Sequence, residues 1–162
     1  MTEPYTRPTW DEYFMEIAQV AAKRATCDRG RAGCAIARNK QILTTGYAGA
    51  PTGLPHCDDV GHLMSKTVHA DGHISEHCVR TTHAEQNAIA QAAKLGIALD
   101  GATMYCRMTP CSTCGKIIIN VGIKRVVCEK HYHAGAESEE MFKRAGIDLI
   151  ILNDELVQYD KQ

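Results

Sequence analysis

The sequence predicts an α/β domain built on a mixed five-stranded sheet covered by helices. Two short β-rich segments separated by two residues come early, and after them helix-like and strand-like segments alternate. That alternation implies right-handed crossovers onto one sheet. The 162 residues are enough for one domain with a proper core and few for two, so residues 1–162 are read as a single domain. The hydrophobic fraction, 44%, is that of an ordinary globular chain.

Each element has a local reason. Thr9 followed by Glu12 is a capping-box pair opening the apolar-periodic run at 10–25, a helix. GCAIAR (33–38) and QILTTGY (41–47) flank Asn39-Lys40 and form a hairpin. AEQNAIAQAAKL (84–95) is rich in strong helix formers, and Gly96 closes it. ATMYCR (102–107) is a strand, 111–121 a helix and KRVVCE (124–129) a strand. ESEEMFKRA (137–145) is a helix stopped by Gly146, and IDLIIL (147–152) is the last strand, with VQYDKQ expected to fray. Residues 48–82 show no clear element, and a loop of that length in a compact domain usually has a task. It carries His56, Cys57, His62, His69, His73, His77 and Cys78, so something other than an apolar core organises it.

Composition narrows the function. The formal net charge of -1 favours a small substrate over long nucleic acid, and an aromatic fraction of 6% argues against a stacking platform for single strands. The polar N-terminus MTEPYTRPTW and the lack of an apolar run of spanning length predict a cytoplasmic chain with no signal peptide and no membrane segment. In that setting eight Cys and eight His point to metal binding or catalysis rather than disulfides.

One constellation carries chemistry. TPCSTCG (109–115) follows a strand and opens a helix, where free N–H groups and the helix dipole favour the thiolates of Cys111 and Cys114. His83 opens another helix and supplies a nitrogen, giving three ligands suited to zinc with the fourth position left for water. Glu85 lies roughly 200° further round that helix, so it does not readily ligate the same ion. From the first turn it reaches the water instead, as a general acid/base does. The pairing is the H-x-E…P-C-x-x-C signature of zinc nucleobase deaminases.

From about residue 8 to 152 the chain resembles the deoxycytidylate (dCMP) deaminases of the cytidine deaminase superfamily. RPTWDEYFMEIA, GYAGAPTGLPHC, CVRTTHAEQNAI, GATMY, TPCSTC and GIKRVV carry the likeness. The resemblance implies a three-layer α/β/α cytidine deaminase-like fold and hydrolysis of dCMP to dUMP and ammonia. It implies Zn(2+) held by His83, Cys111 and Cys114, with Glu85 shuttling protons from the water to N3 and the leaving amine. It also implies a contact from the backbone N–H of Ala84 to the base's O2. Tyr132 is a candidate pocket-lining aromatic, or else an ordinary half-buried loop tyrosine.

The resemblance further implies a second, structural zinc stapling the long loop. Its expected ligands are Cys27, Cys57, Cys78 and His77, with His73 and His56 as alternatives to His77. Cys34, Cys106 and Cys128 lie on predicted strands as small core residues. For the nucleotide phosphate, Lys66, Arg80, Lys130 and His133 are the nearby donors. The family's usual Gly-Tyr-Asn-Gly reads GYAG at 46–49, so Ala48 lacks the amide tied to the sugar and to allosteric control by dCTP and dTTP. A modified cytosine nucleotide, dCTP or a free nucleoside is the alternative substrate. A homo-oligomer, commonly a hexamer, is the assembly the resemblance implies.

Overall fold

The computed structural model describes residues 4–157, which pass through α1 (Trp10–Ala22), β1 (Gly33–Arg38), β2 (Gln41–Tyr47), α2 (Cys57–Val60), β3 (Met64–Val68), β4 (Ile74–Cys78), α3 (Ala84–Leu95), β5 (Thr103–Met108), α4 (Ser112–Asn120), β6 (Arg125–Tyr132), α5 (Ala136–Ala145) and β7 (Asp148–Val157). The main sheet has the order β2-β1-β5-β6-β7. Strand β1 runs antiparallel to β2 and β5, whereas β5, β6 and β7 run parallel to one another. This is the mixed five-stranded sheet that the helix–strand alternation predicts.

Local chemistry starts and stops the elements as expected. The Thr9 Oγ1 accepts from the Glu12 N–H, and the Glu12 carboxylate accepts from the Thr9 N–H, closing the capping box. Asn39 and Lys40 both take positive φ, 53° and 63°, which matches the right-handed twist of the hairpin they join. Gly96 and Gly146 end α3 and α5 in the left-handed conformation. Helix α1 stops at Ala22, three residues short of the predicted end, and β7 runs on to Val157; the rest of VQYDKQ lies outside the described residues.

The pleat sorts side chains into two layers. Cys34, Ile36, Met104, Cys106, Val126 and Cys128 face α3, α4 and α5. Ala35, Ala37, Tyr105 and Val127 face Phe14, Met15 and Ala18 of α1. The result is the three-layer α/β/α arrangement, and the three strand cysteines are buried core residues as predicted. Glycine sets how closely the layers approach. A Cβ at Gly46 would stand 2.2 Å from the Ala84 carbonyl oxygen, so the start of α3 can lie directly on β2 only because that position is bare.

The largest departure from the predicted elements lies in 48–82. It holds the short helix α2 and a second, two-stranded antiparallel sheet, β3-β4, with Ser65 opposite His77 and Thr67 opposite Ser75. MSKTV and ISEHC lack the apolar alternation that marks a core strand, because this hairpin lies apart from the main sheet and most of it is exposed.

Candidate active site

Two helix starts meet at the floor of one cavity. His83 is the N-cap of α3 and Cys111 the N-cap of α4, both with extended backbone, so the helix axes point their free N–H ends at the same place. The turn carrying Cys111 is pinned from behind, where the Ser138 hydroxyl donates to the Pro110 carbonyl and the Thr109 hydroxyl donates to the Glu139 carboxylate at 3.4 Å. Gly115 admits α5 closely, since an added Cβ there would stand 3.0 Å from the Ser138 Cβ.

His83 Nδ1 lies 3.5 Å from Cys111 Sγ and 3.4 Å from Cys114 Sγ, and the three donor atoms fall within 4.8 Å of one another. A tetrahedral zinc with Zn–S of about 2.3 Å and Zn–N of about 2.1 Å sets S···N edges at about 3.6 Å. The donor set and its spacing therefore fit zinc. A hydrogen bond from Cys114 holds the Cys111 thiol down at about 4, while that same pairing drives Cys114 up. The hydrogen bond to Cys111 raises His83 to about 9.

Glu85 lies in the first turn of α3, 8% exposed, and the Cys114 thiol donates to its carboxylate at 3.7 Å. Burial pushes its pKa up. The cavity above has a volume of about 430 Å³, within the range of small-ligand sites. Ala84 lines it at the first helical position, where the backbone N–H has no intrahelical acceptor, and Tyr132 and Ala48 also line it. The Ala48 backbone is already engaged, its N–H donating to Ala32 and its carbonyl accepting from Thr26.

A second cluster forms behind the cavity from Cys27, Cys57, His62 and Cys78, again with donor atoms within 4.8 Å of one another. Cys57 Sγ and Cys78 Sγ are 3.5 Å apart, and Cys27 Sγ is 3.7 Å from His62 Nδ1, against tetrahedral edges of about 3.8 and 3.6 Å. The other ring nitrogen of His62 meets the Asp28 carboxylate at 3.0 Å, the outer-shell contact that orients a ligating imidazole. Burial raises the Cys57 thiol to about 11. Burial also opposes ionisation of Cys78, but N–H donors from Arg80 and Leu63 outweigh it and bring that thiol to about 6.

The predicted fourth donor is corrected here. His77 is not in this cluster, because it neighbours Cys78 on β4 and successive residues of a strand face opposite ways. Its Nε2 pairs with Ser75 Oγ at 3.0 Å and its ring lines the cavity. Burial, then the positive charges of His83 and Arg29, lower its pKa. The alternatives are elsewhere too, His73 stacked on His69 and His56 against the Thr26 hydroxyl. His62 follows Gly61, which ends α2 with a φ of 80°.

The four predicted phosphate donors do not line the cavity. Lys66 pairs with Glu76, Arg80 donates to the Gly61 carbonyl, Lys130 pairs with Glu155, and His133 packs its ring on Tyr132. Besides His83, the Arg and His residues among the described ones that line it are Arg29, His69 and His77, none of them singled out from the sequence as a phosphate donor.

An α/β/α fold with a His-x-Glu helix start facing a Pro-Cys-x-x-Cys helix start defines the class of zinc-dependent nucleobase deaminases. The chain belongs to the cytidine and deoxycytidylate deaminase family, whose zinc-binding region matches residues 8–130. It is 40% identical over 141 residues to ComE operon protein 2 of Bacillus subtilis (strain 168), an alignment covering 87% of this chain and 70% of that protein. It is 36% identical over 143 residues to the deoxycytidylate deaminase of Schizosaccharomyces pombe (strain 972 / ATCC 24843), covering 88% of this chain and 44% of that protein. The chain thus spans less than half the length of the fission yeast relative. Its fold matches the dCMP deaminase of cyanophage S-TIM5 in complex with dCMP and dUMP, with a TM-score of 0.70 and 24% identity, over 94% of this chain and 100% of that one. Among the described residues no helix is long and apolar enough to cross a membrane.

Proposed function

We propose that this chain hydrolyses a deoxycytidine monophosphate, converting dCMP and water to dUMP and ammonia. The observation that carries the reading is the buried carboxyl of Glu85 beside the His83–Cys111–Cys114 donor set at the cavity floor. The fission yeast relative, a deoxycytidylate deaminase by name, supports the choice of substrate.

Zinc, when bound by His83, Cys111 and Cys114, supplies the Lewis acidity that brings a water's pKa toward neutrality. Glu85 takes the water's proton and hands it to N3 of the cytosine as oxygen adds at C4. It then moves the second proton to the exocyclic amine, which leaves as ammonia. A carboxyl whose pKa is raised by burial suits a group that must hold a proton between these transfers. The Ala84 N–H is the donor to the base's O2 on this reading, a role supported by the places of Ala84 and Tyr132 on the cavity wall. The second cluster is a structural zinc site with His62 as its nitrogen donor. Assembly into a homo-oligomer belongs to the same reading, and control by dCTP or dTTP is the part that Ala48 tests, because its side chain offers no amide to a nucleotide.

Ammonia release from a panel of cytosine and adenine nucleosides, monophosphates and triphosphates tests the assignment. Turnover should be fastest with dCMP. Inert dCMP beside a rapidly deaminated nucleoside, adenosine or triphosphate would reject it.

A further inference from the structure

Asn87, near the start of α3, is a polar side chain for which the deamination chemistry has no task. It stands four residues after His83, on the same face of the helix. Its side-chain amide turns away from its own helix. The Nδ2 group donates to the Tyr47 carbonyl at 2.7 Å and, at a longer 3.4 Å, to the Thr82 carbonyl. An amide nitrogen carries two protons, so both acceptors are served at once.

The two acceptors belong to two sides of the cavity. Tyr47 ends β2 and precedes Ala48 on the cavity wall, whereas Thr82 precedes His83 at the floor. Thr82 and Gly49 also exchange a pair of backbone hydrogen bonds, at 3.2 and 2.9 Å. At the other end of the same peptide the His83 N–H donates to the Gln86 side chain at 3.2 Å. The planar peptide joining Thr82 to His83 is thus held at its oxygen by Asn87 and Gly49 and at its nitrogen by Gln86. The general seating of α3 on β2 has other fixtures. The Thr44 hydroxyl donates to the Ala88 carbonyl at 3.2 Å, and bare Gly46 admits the Ala84 carbonyl.

We infer that Asn87 is a positioning residue for the reaction. Its amide orients the Thr82–His83 peptide, so that His83 Nδ1 stands where Cys111 and Cys114 can share an ion with it, and it ties that ion's place to the Ala48 wall. The inference rests on the reading of His83, Cys111 and Cys114 as the catalytic zinc ligands, and it adds the side chain that aims the imidazole.

The test needs a variant of the same shape without the N–H donors. Asn87→Asp is that variant. A carboxylate near a helix N-terminus favours the helix, but it can only accept, and here it faces two carbonyls. Its negative charge by itself favours a nearby cation, so weaker zinc binding reports the lost donors. In chelator competition, the zinc that Cys114→Ser removes should be held about ten- to a hundredfold more weakly in Asn87→Asp, the scale of losing an outer-shell partner. The zinc of the other Cys/His cluster should be held as in the wild type. With zinc in excess, kcat toward dCMP should fall by about tenfold or more, as misplaced catalytic groups cause. Asn87→Gln, which restores the donors on a longer arm, should recover part of both losses. Thr44→Val removes a different side-chain bond between β2 and α3, so it should lower the melting temperature and leave zinc affinity and kcat unchanged. Wild-type zinc affinity and kcat in Asn87→Asp, or equal losses in Thr44→Val, overturn the inference. Should Asn87→Asp not fold, Asn87→Ala is read in the same way. If the zinc-loaded wild type releases no ammonia from dCMP, the deamination reading falls, and the chelator competition still decides whether Asn87 aims His83.

Discussion

The two Cys/His clusters are built from the same residue types at the same spacing, yet they are differently finished. One gathers three donors from two helix starts, opens onto a cavity, and has a buried carboxyl beside it. The other gathers four donors from the loop after α1, from α2 and the turn after it, and from β4, and among the described residues its donor group includes no carboxyl. Three ligands and an acid leave room for a reacting molecule, whereas four ligands close the shell and fasten loops. On the proposed reading it is this difference in count, not in chemistry of the donors, that separates a catalytic from a structural role.

That contrast is broken or sharpened by changing one cluster at a time. Cys114→Ser should abolish ammonia release and remove one zinc per chain, with only a small change in melting temperature. Cys78→Ser should also remove one zinc, but lower the melting temperature by about 10 °C or more, the scale expected for losing ~3–5 kcal/mol in a chain of this size. A Cys78→Ser protein that melts like the wild type would show that the second cluster staples nothing. His62→Ala should cost the second zinc and His77→Ala should not, as read by metal analysis after gel filtration. Asp28→Asn, which removes the partner of the His62 ring, should weaken zinc at that cluster by about ten- to a hundredfold in chelator competition and leave the catalytic zinc unaffected.

The smallest effect is expected far from both clusters. Asp11 accepts two hydrogen bonds from Arg125, each 2.7 Å, and its pKa is lowered chiefly by them. A carboxyl lowered on folding stabilises fully above its ordinary pKa of about 3.9 and loses that contribution as pH falls through the folded value. Asp11→Asn should therefore flatten the acid side of the melting-temperature profile slightly. A profile that overlays the wild type would remove this ion pair from the stability of α1 on the sheet.

Much of the fold was legible because the main elements bury one face and carry explicit stop signals: the capping box at Thr9, the Asn39-Lys40 turn, Gly96 and Gly146. The hairpin β3-β4 was not, since polar strands such as MSKTV have no apolar period to announce them. The family match agrees with the deaminase reading of the His83, Glu85, Cys111 and Cys114 motif, for that motif is local: each pair lies within one turn of one helix. The second cluster is assembled from segments 51 residues apart in the chain, Cys27 to Cys78, so its cysteines could be named but its histidine could not. The strand rule that neighbours face apart would have excluded His77 had β4 been seen. The same blind spot hid Arg29, His69 and His77, whose common cavity exists only once the hairpin is folded.

Glu85→Ala tests the central claim most directly, with zinc content and ammonia release measured on the same preparation. The expected result is unchanged zinc and a turnover number lower by at least the ~10²–10⁴-fold that a general acid/base contributes. Wild-type turnover in a zinc-replete Glu85→Ala protein would contradict the account.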